Sequence, residues 1–185
     1  MENQKIGVLT EFSAALEVQR WADSKKNAAQ QSRAHNSGTQ NIPQLLKQLV
    51  GADPTRLAAV DVRVLEILDF ESYAIHKILF QSLPGVYIPA NLYVPAGQGK
   101  FPAVLNSHGH WEGGKSGEIV QQTAQLLAKA DYVVLCIDAW GAGERGTAHR
   151  HEYHGAHLGG SLLGANQTLM GLQLLDNLQA INVLC

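Results

Sequence analysis

The first 58 residues carry the spacing of apolar side chains that is typical of helices. Apolar residues recur at near-helical intervals over 8–34, and they predict a first helix there. A second, shorter helix is predicted over 42–50, where Asn41 can cap the start and Gly51 follows the end. We therefore expect residues 1–58 to form a helical N-terminal extension. The residues that carry these two patterns are Leu9, Phe12, Leu16, Trp21, Ile42, Leu45, Leu46 and Leu49.

Beyond residue 58 the apolar period changes from that of a helix to that of a strand. Between Val60 and Val64, valines alternate with polar residues, which predicts a half-exposed strand. Two further strands are predicted, Tyr73–Leu83 and Val86–Val94, and Pro84-Gly85 forms a turn between them. Short strands joined by a tight turn predict an antiparallel sheet at the start of this domain.

From Phe101 the pattern becomes strand, helix, strand, helix. A strand is predicted over 101–108, followed by a helix over 116–130 that Ser116 can cap. The continuous apolar run 132–138 is typical of a parallel strand that is covered on both faces. A last helix is predicted from Leu162 to the end. Its apolar stripe consists of Leu163, Met170, Leu174, Leu178 and Ile181.

These elements predict an α/β fold: a mixed sheet with antiparallel N-terminal strands, followed by β-α-β-α, over 59–185. The formal net charge is −2, so the chain has no basic excess for nucleic acid. No stretch has the roughly 20 apolar residues of a membrane span, and the first 20 residues lack the pattern of a signal peptide. We therefore expect a soluble, cytoplasmic protein without a membrane partner. Cys136 and Cys185 do not form a disulfide framework, and Cys136 is expected to be a buried thiol.

The first candidate for chemistry is His108-Gly109-His110-Trp111, at the carboxyl end of a predicted strand. Ligands in open α/β sheets bind beyond this end of the strands. Glycine lets the backbone approach a substrate, and the N–H after it can face a developing oxyanion. The alternative is structural: His108 braces the loop, and His110 is exposed.

The second candidate is the turn from Asp138 to Gly146, which follows the next strand. An Asp at a strand end with closely spaced glycines indicates a tight turn beside the first loop. Asp138 could equally cap local N–H groups without doing chemistry. Trp140 could line a pocket or pack against the sheet.

A third feature is the literal match of Gly109–Ser116 to G-x-x-x-x-G-K-[ST]. It follows a strand and precedes a helix, which is the setting of a phosphate-binding loop, with Lys115 and Ser116 as its working residues. Against this, the motif comes after three predicted strands, whereas nucleotide-binding domains usually begin with it.

A fourth feature is a histidine-rich loop. Its spacing, H-x-H-x-x-H-x-x-H, could hold zinc if the loop wrapped around the ion, but such loops are more often the polar rim of a pocket. The histidines are His149, His151, His154 and His157.

The segments FPAVLNSHGH and YVVLCIDAWGAGERG, each followed by a helix, resemble α/β-hydrolases of the acetyl xylan esterase-like and dienelactone hydrolase-like branch. The resemblance covers about residues 60–185. It implies an esterase scaffold without a cofactor, in which Gly109 and the backbone N–H of His110 form part of an oxyanion hole. It also implies a substrate side formed by His108, Trp111, Glu112, Trp140 and Gly141.

The family's nucleophile elbow, G-x-S-x-G, does not occur in the 185 residues. Gly159-Gly160-Ser161 lacks the second glycine, and Gly117 follows Ser116 too soon. We therefore expect a truncated hydrolase with little or no activity. A sheet that lacks its central strand is expected to be open along 132–138 and to make the protein a homo-oligomer. The other open hypothesis is a non-catalytic binding or assembly module on the same scaffold.

Overall fold

The computed structural model describes residues 14–35, 42–109, 113–146 and 157–185. The chain divides into two compact units, 1–42 and 43–185, which are described separately. The first unit contains helix α1 (Ala14–His35), and its residues 18–31 are all exposed. The helix predicted over 8–34 is thereby confirmed from residue 14, and its first six residues lie outside the described part.

The second unit is built on a five-stranded mixed sheet with the order β1-β2-β3-β5-β4. Neighbouring strands are antiparallel except β4 and β5, which run parallel with Leu105 opposite Leu135. The predicted α/β sheet, antiparallel first and then β-α-β-α, is confirmed. The strands are β1 (Arg63–Asp69), β2 (Tyr73–Leu83), β3 (Val86–Pro95), β4 (Ala103–Asn106) and β5 (Val133–Ile137).

Strand β1 lies further along the chain than its valine pattern predicts. Val60 and Val62 are exposed and precede the strand. The reason is the hairpin with β2: the N–H of Phe70 donates to the carbonyl of Tyr73 at 2.9 Å, and this turn determines which residues pair. The prediction over Val60–Val64 was therefore wrong in its bounds.

The described part of the second unit also contains four α-helices, and they correct the bounds of two predicted helices. Helix α2 agrees with its prediction. Helix α3 begins after Gly117, because Ser116 belongs to a short 3-10 turn and its side chain does not cap the helix. The predicted last helix is split in two, with Asn166 at φ 55° between the halves. The helices are α2 (Ile42–Val50), α3 (Glu118–Lys129), α4 (Gly159–Gly164) and α5 (Leu169–Leu184).

The sheet separates two apolar layers, since successive strand residues point to opposite faces. Helix α3 packs on one face, against Tyr73, Ile75, Tyr93, Val134 and Cys136. Helix α5 packs on the other face through Ala180, against Ile78, Phe80, Ile88, Ala90, Leu135 and Ile137. Of the helices in the described ranges, none combines the length and apolarity that a membrane span requires.

The strand β5 is not an open edge, so the prediction of an exposed run over 132–138 was wrong. It is inserted between β3 and β4 and pairs with both, and Val134, Leu135 and Cys136 are fully buried. The edges of the sheet are β1 and β4. The apolar run at 132–138 therefore marks the inside of the sheet.

Candidate active site

The two predicted turns lie at the same edge of the sheet. Asn106 is opposite Cys136 in the parallel pair β4 and β5, so both strands end at the same level. His108-Gly109 follows β4, and Asp138 follows β5. The turn after β4 and the turn after β5 therefore lie next to each other, as the sequence predicted.

His108 connects the two turns. Its Nε2 accepts a hydrogen bond from the backbone N–H of Ala139 at 3.1 Å, and its Nδ1 lies 2.7 Å from the carbonyl oxygen of Gly109. Because Nε2 is an acceptor, the hydrogen-bond network assigns the proton to Nδ1, which donates to Gly109. The half-buried ring thereby holds the carbonyl of Gly109 in place.

Asp138 is fully buried, and its carboxylate is surrounded by donors. It accepts from the backbone N–H groups of Lys115 at 2.8 Å and Glu144 at 3.0 Å, and it is 2.6 Å from the ammonium of Lys115. Asp138 thus caps N–H groups of both turns, which is the structural role that the sequence left open. Nothing in these contacts leaves it facing a substrate.

Lys115 is buried against this carboxylate. Only 4 % of its side chain is exposed, and the carboxylate of Glu144 lies 3.4 Å from its ammonium on the outer side. A phosphate-binding lysine must reach the phosphates with its ammonium. The Lys115 side chain is instead turned inward, so the geometry gives the phosphate-loop alternative no support.

Two glycines allow the turns to close on Asp138. Gly114 has φ 52° and Gly143 has φ 50°, a region that favours glycine. A Cβ at either position would collide with the carboxylate of Asp138. One glycine in each turn is therefore required for the backbone to pack closely against the carboxylate of Asp138.

A second buried ion pair fastens the turn after β5 to helix α5. Arg145 donates to the carbonyl of Asp138 at 3.0 Å and to the carboxylate of Asp176 at 2.6 Å. Its guanidinium lies 4.5 Å from the ring centre of Trp140. Trp140 packs beside the cluster of Leu83, Leu172 and Leu175, and its place on the substrate side remains a prediction.

Sequence reasoning missed Arg145 and Asp176 as parts of the site and considered Lys115 only as a phosphate ligand. One signal was available for Asp176, because it is the only charged residue between Leu169 and Leu184. A carboxylate within an apolar helix requires a partner. Its partner could not be named from sequence, since 31 residues separate the two.

Several candidate residues lie outside the described part of the chain: His110, Trp111, Glu112, His149, His151 and His154. Their proposed roles remain predictions. Of the histidine-rich loop, His157 is described, next to helix α4. Within the described ranges no group of three or more His, Cys, Asp or Glu side chains is placed to hold a metal ion.

A cavity of about 450 Å³ lies beside Lys115. Lys115, Ser116 and Glu144 line it, together with residues of β1, β2 and β3. His108, Gly109, Trp140 and Gly141 do not line this cavity. The candidate oxyanion turn is thus separate from it, with Gly109 exposed at the end of the sheet.

Solved structures share this arrangement of strands and helices. A provisionally assigned acetyl xylan esterase from Bacteroides fragilis matches 75 % of this chain and 40 % of its own, with a TM-score of 0.60 at 18 % identity. An acetyl xylan esterase from Thermoanaerobacterium matches 78 % of this chain and 45 % of its own, with a TM-score of 0.52 at 17 % identity. The chain has the fold of acetyl xylan esterases, over part of their length.

A methylesterase matches this acetyl xylan esterase-like fold at higher identity, 27 %, over 72 % of this chain and 30 % of its own, with a TM-score of 0.53. The chain thus spans less than half the length of each of these structures. No protein-family model and no curated protein matches it. The α/β-hydrolase resemblance inferred from HGH and the Asp138 turn is confirmed at the level of fold.

Proposed function

We propose that this chain is the scaffold of a carboxylic ester hydrolase, with acetyl esters of sugars as the substrate class, and that it supplies the oxyanion-binding turn. The observation that carries the proposal is the contact between His108 and the two turns. It is supported by the structural neighbours, which are acetyl xylan esterases and a methylesterase.

The proposed role of Gly109 and His110 rests on the resemblance of the His108-Gly109 turn to that of α/β-hydrolases. The carbonyl of Gly109 is hydrogen-bonded by the ring of His108, which holds the end of the described turn in place. We propose that the N–H of His110, which lies outside the described residues, binds the oxygen of a tetrahedral intermediate. Removing one such donor from an esterase typically lowers the rate about a hundredfold or more.

The chain itself is expected to turn over esters poorly. Its sequence contains no G-x-S-x-G, and losing the nucleophile of a catalytic triad costs roughly a millionfold in rate. Purified protein mixed with p-nitrophenyl acetate is expected to release p-nitrophenol at close to the rate in buffer. Fast release that an inhibitor of serine hydrolases abolishes would mean that the chain contains a nucleophile. The expectation of poor turnover would then be wrong.

Binding gives the positive test. Acetate presents the oxygen chemistry of an acetyl ester to the turn, so titration of the labelled protein should shift the amide resonances that follow Gly109. The shifts should be lost in His108→Ala, which frees the Gly109 carbonyl. They should persist in the control His76→Ala, which changes a half-buried histidine in the middle of β2. Absence of shifts in the folded wild type would contradict the proposal.

A second candidate function is a non-catalytic binding or assembly module on the same scaffold. The capping role of Asp138 favours it, because the carboxylate is directed at backbone N–H groups of the two turns. It predicts a folded protein whose turn after β4 does not respond to acetate. The same titration therefore distinguishes the two functions.

Nucleotide binding through Gly109–Ser116 is the remaining alternative. It would require Lys115 to leave Asp138, at the cost of an unpaired buried carboxylate. Mg-ATP is accordingly expected to leave the melting temperature of the wild type unchanged. A rise of several degrees at millimolar Mg-ATP would revive this alternative.

A further inference from the structure

A chain of hydrogen bonds begins on helix α5, at Asp176. Its carboxylate accepts from Nη1 of Arg145 at 2.6 Å, and the same nitrogen donates to the carbonyl oxygen of Asp138 at 3.0 Å. The side chains of Arg145 and Asp176 are 9 % and 3 % exposed, so water screens the pair little. Because one nitrogen makes both bonds, the carboxylate fixes the direction in which the guanidinium meets the carbonyl.

The chain continues through a single peptide group. The carbonyl of Asp138 and the N–H of Ala139 belong to the same peptide bond, and this N–H donates to Nε2 of His108 at 3.1 Å. A cation at the carbonyl oxygen polarises the peptide group, which makes its N–H a stronger donor. Arg145 therefore acts on the ring of His108 through this peptide group.

The ring of His108 passes the effect on to the turn after β4. Its Nδ1 lies 2.7 Å from the carbonyl oxygen of Gly109. The hydrogen bond made by one ring nitrogen decides which of the two carries the proton, so the donor at Nε2 leaves the proton on Nδ1. With the proton on Nε2 instead, the N–H of Ala139 would meet another donor and Nδ1 could not donate to Gly109. The tautomer thus decides whether the ring holds the turn.

The ion pair on α5 has a feature that stability alone does not explain. A buried ion pair can often be replaced by apolar side chains without loss of stability. Here the guanidinium also bonds a backbone carbonyl outside α5, and from Asp176 to Gly109 every donor points along the chain in a consistent sense. Hydrogen bonds arranged in this way strengthen one another.

We propose that Arg145 and Asp176 are positioning residues for the turn after β4. Through the peptide group 138–139 they hold His108 with its proton on Nδ1, and the ring then fixes the carbonyl of Gly109. This inference rests on the proposed function, in which the peptide group that begins at Gly109 supplies the oxyanion donor. The two side chains act through His108 and are assigned no contact with a substrate.

The first measurement is made on the wild type, by NMR of the labelled protein in a mildly alkaline buffer. The ¹⁵N chemical shifts of the imidazole distinguish the nitrogen that carries the proton from the one that accepts. We expect the proton on Nδ1 of His108, together with a scalar coupling across the hydrogen bond between the amide nitrogen of Ala139 and Nε2. A ring that carries its proton mainly on Nε2 would overturn the proposal.

The second measurement repeats these spectra on variants of the ion pair. Arg145→Met, Asp176→Leu removes both charges together, an exchange that buried pairs often tolerate. It should weaken or abolish the coupling and move part of the population to the Nε2–H tautomer. Asp176→Asn keeps the guanidinium but loses the carboxylate that directs it, so a smaller change in the same direction is expected. An unchanged ring in these variants would contradict the proposal.

Thr168→Ala is the control for a general loosening of α5. It removes the hydroxyl that caps this helix, at a cost of about 1 kcal/mol, and leaves the hydrogen-bond chain intact. Its His108 spectra should match those of the wild type. If they change as much as in Arg145→Met, Asp176→Leu, the ring merely reports the stability of the helix, and the positioning role is wrong.

Acetate separates this inference from the proposed function. Its affinity, taken from the amide shifts that follow Gly109, should fall by up to about tenfold in Arg145→Met, Asp176→Leu, as the loss of one hydrogen bond predicts. Equal affinity in wild type and variant, despite a changed tautomer, would overturn the effect on the turn. A wild type that binds no acetate but shows the expected tautomer response contradicts the proposed function and supports the control of His108 by Arg145.

Discussion

The ammonium nitrogen of Lys115 lies 2.6 Å from a carboxylate oxygen of Asp138, and the two side chains are 4 % and 0 % exposed. The pair joins the segment after β4 to the end of β5, across 23 residues of sequence. With the two backbone N–H donors to the same carboxylate, it fixes the relative position of the turns that carry the candidate site.

Replacing Lys115 should therefore be severely destabilising. Lys115→Met leaves Asp138 buried without its counter-ion, which typically costs about 3–5 kcal/mol. The matched control is Lys77→Met, which removes an exposed pair with Glu66 at 2.7 Å and should cost less than about 1 kcal/mol. Urea unfolding measures both. Equal losses would mean that the buried pair contributes no more than a surface one.

A methyl group at Gly143 should be poorly tolerated. Its φ is 50°, and an added Cβ would strike the carboxylate of Asp138. Gly85 has φ 79° with no atom within 4 Å of the added Cβ, so Gly85→Ala isolates the backbone cost of about 1 kcal/mol. Gly143→Ala is expected to lose about 3 kcal/mol or more in urea unfolding. Similar losses in the two variants would show that the turn relaxes easily around Asp138.

Removal of the α5 cap should have a moderate effect. The hydroxyl of Thr168 accepts from the N–H of Gly171 at 2.9 Å and also donates to the carbonyl of Val50. Thr168→Ala should cost about 1 kcal/mol or somewhat more. Thr123→Ala, in the exposed middle of α3, should be neutral or slightly stabilising because alanine is the better helix former. The midpoints of thermal unfolding should show this contrast, and a stable Thr168 variant would contradict the capping role.

The free energy of unfolding should fall as the solution becomes alkaline. Burial raises the pKa of Cys136 to about 11 and that of Tyr93 to about 12, against about 8.5 and about 10 in an unfolded chain. Above pH 9 the unfolded state therefore loses protons that the folded state retains, which favours unfolding. Stability is fully present below about pH 8 and decreases through pH 11.

This dependence can be assigned to a residue. Urea unfolding at about pH 8 and about pH 10 should differ less in Cys136→Ala than in the wild type, because one of the two shifted groups is gone. Cys185 is exposed, so it serves as the internal comparison of an accessible thiol. A wild type whose stability is flat over this interval would contradict the shifted values.

The sheet could be predicted from sequence better than its edges. Two strands were predicted from their apolar residues, over Val86–Val94 and over the continuous apolar run 132–138. Both predictions hold within a few residues. The order of the strands was not predicted, because it depends on which backbone groups pair between β3 and β5, which are 41 to 47 residues apart at their paired positions. Placing β5 between β3 and β4 changed 132–138 from a supposed edge into a buried strand.

The site shows the same division. The sequence by itself determined that His108-Gly109 and Asp138 follow two strands of one parallel unit, because short-range periodicity and turn residues are local properties. Only the tertiary structure decided that Lys115 pairs with Asp138, that Arg145 reaches Asp176, and which side of α5 is buried. These pairings and this burial join residues that are far apart in the chain. A charge can be buried only where the folded chain places an opposite charge beside it, so local sequence patterns do not identify the partner.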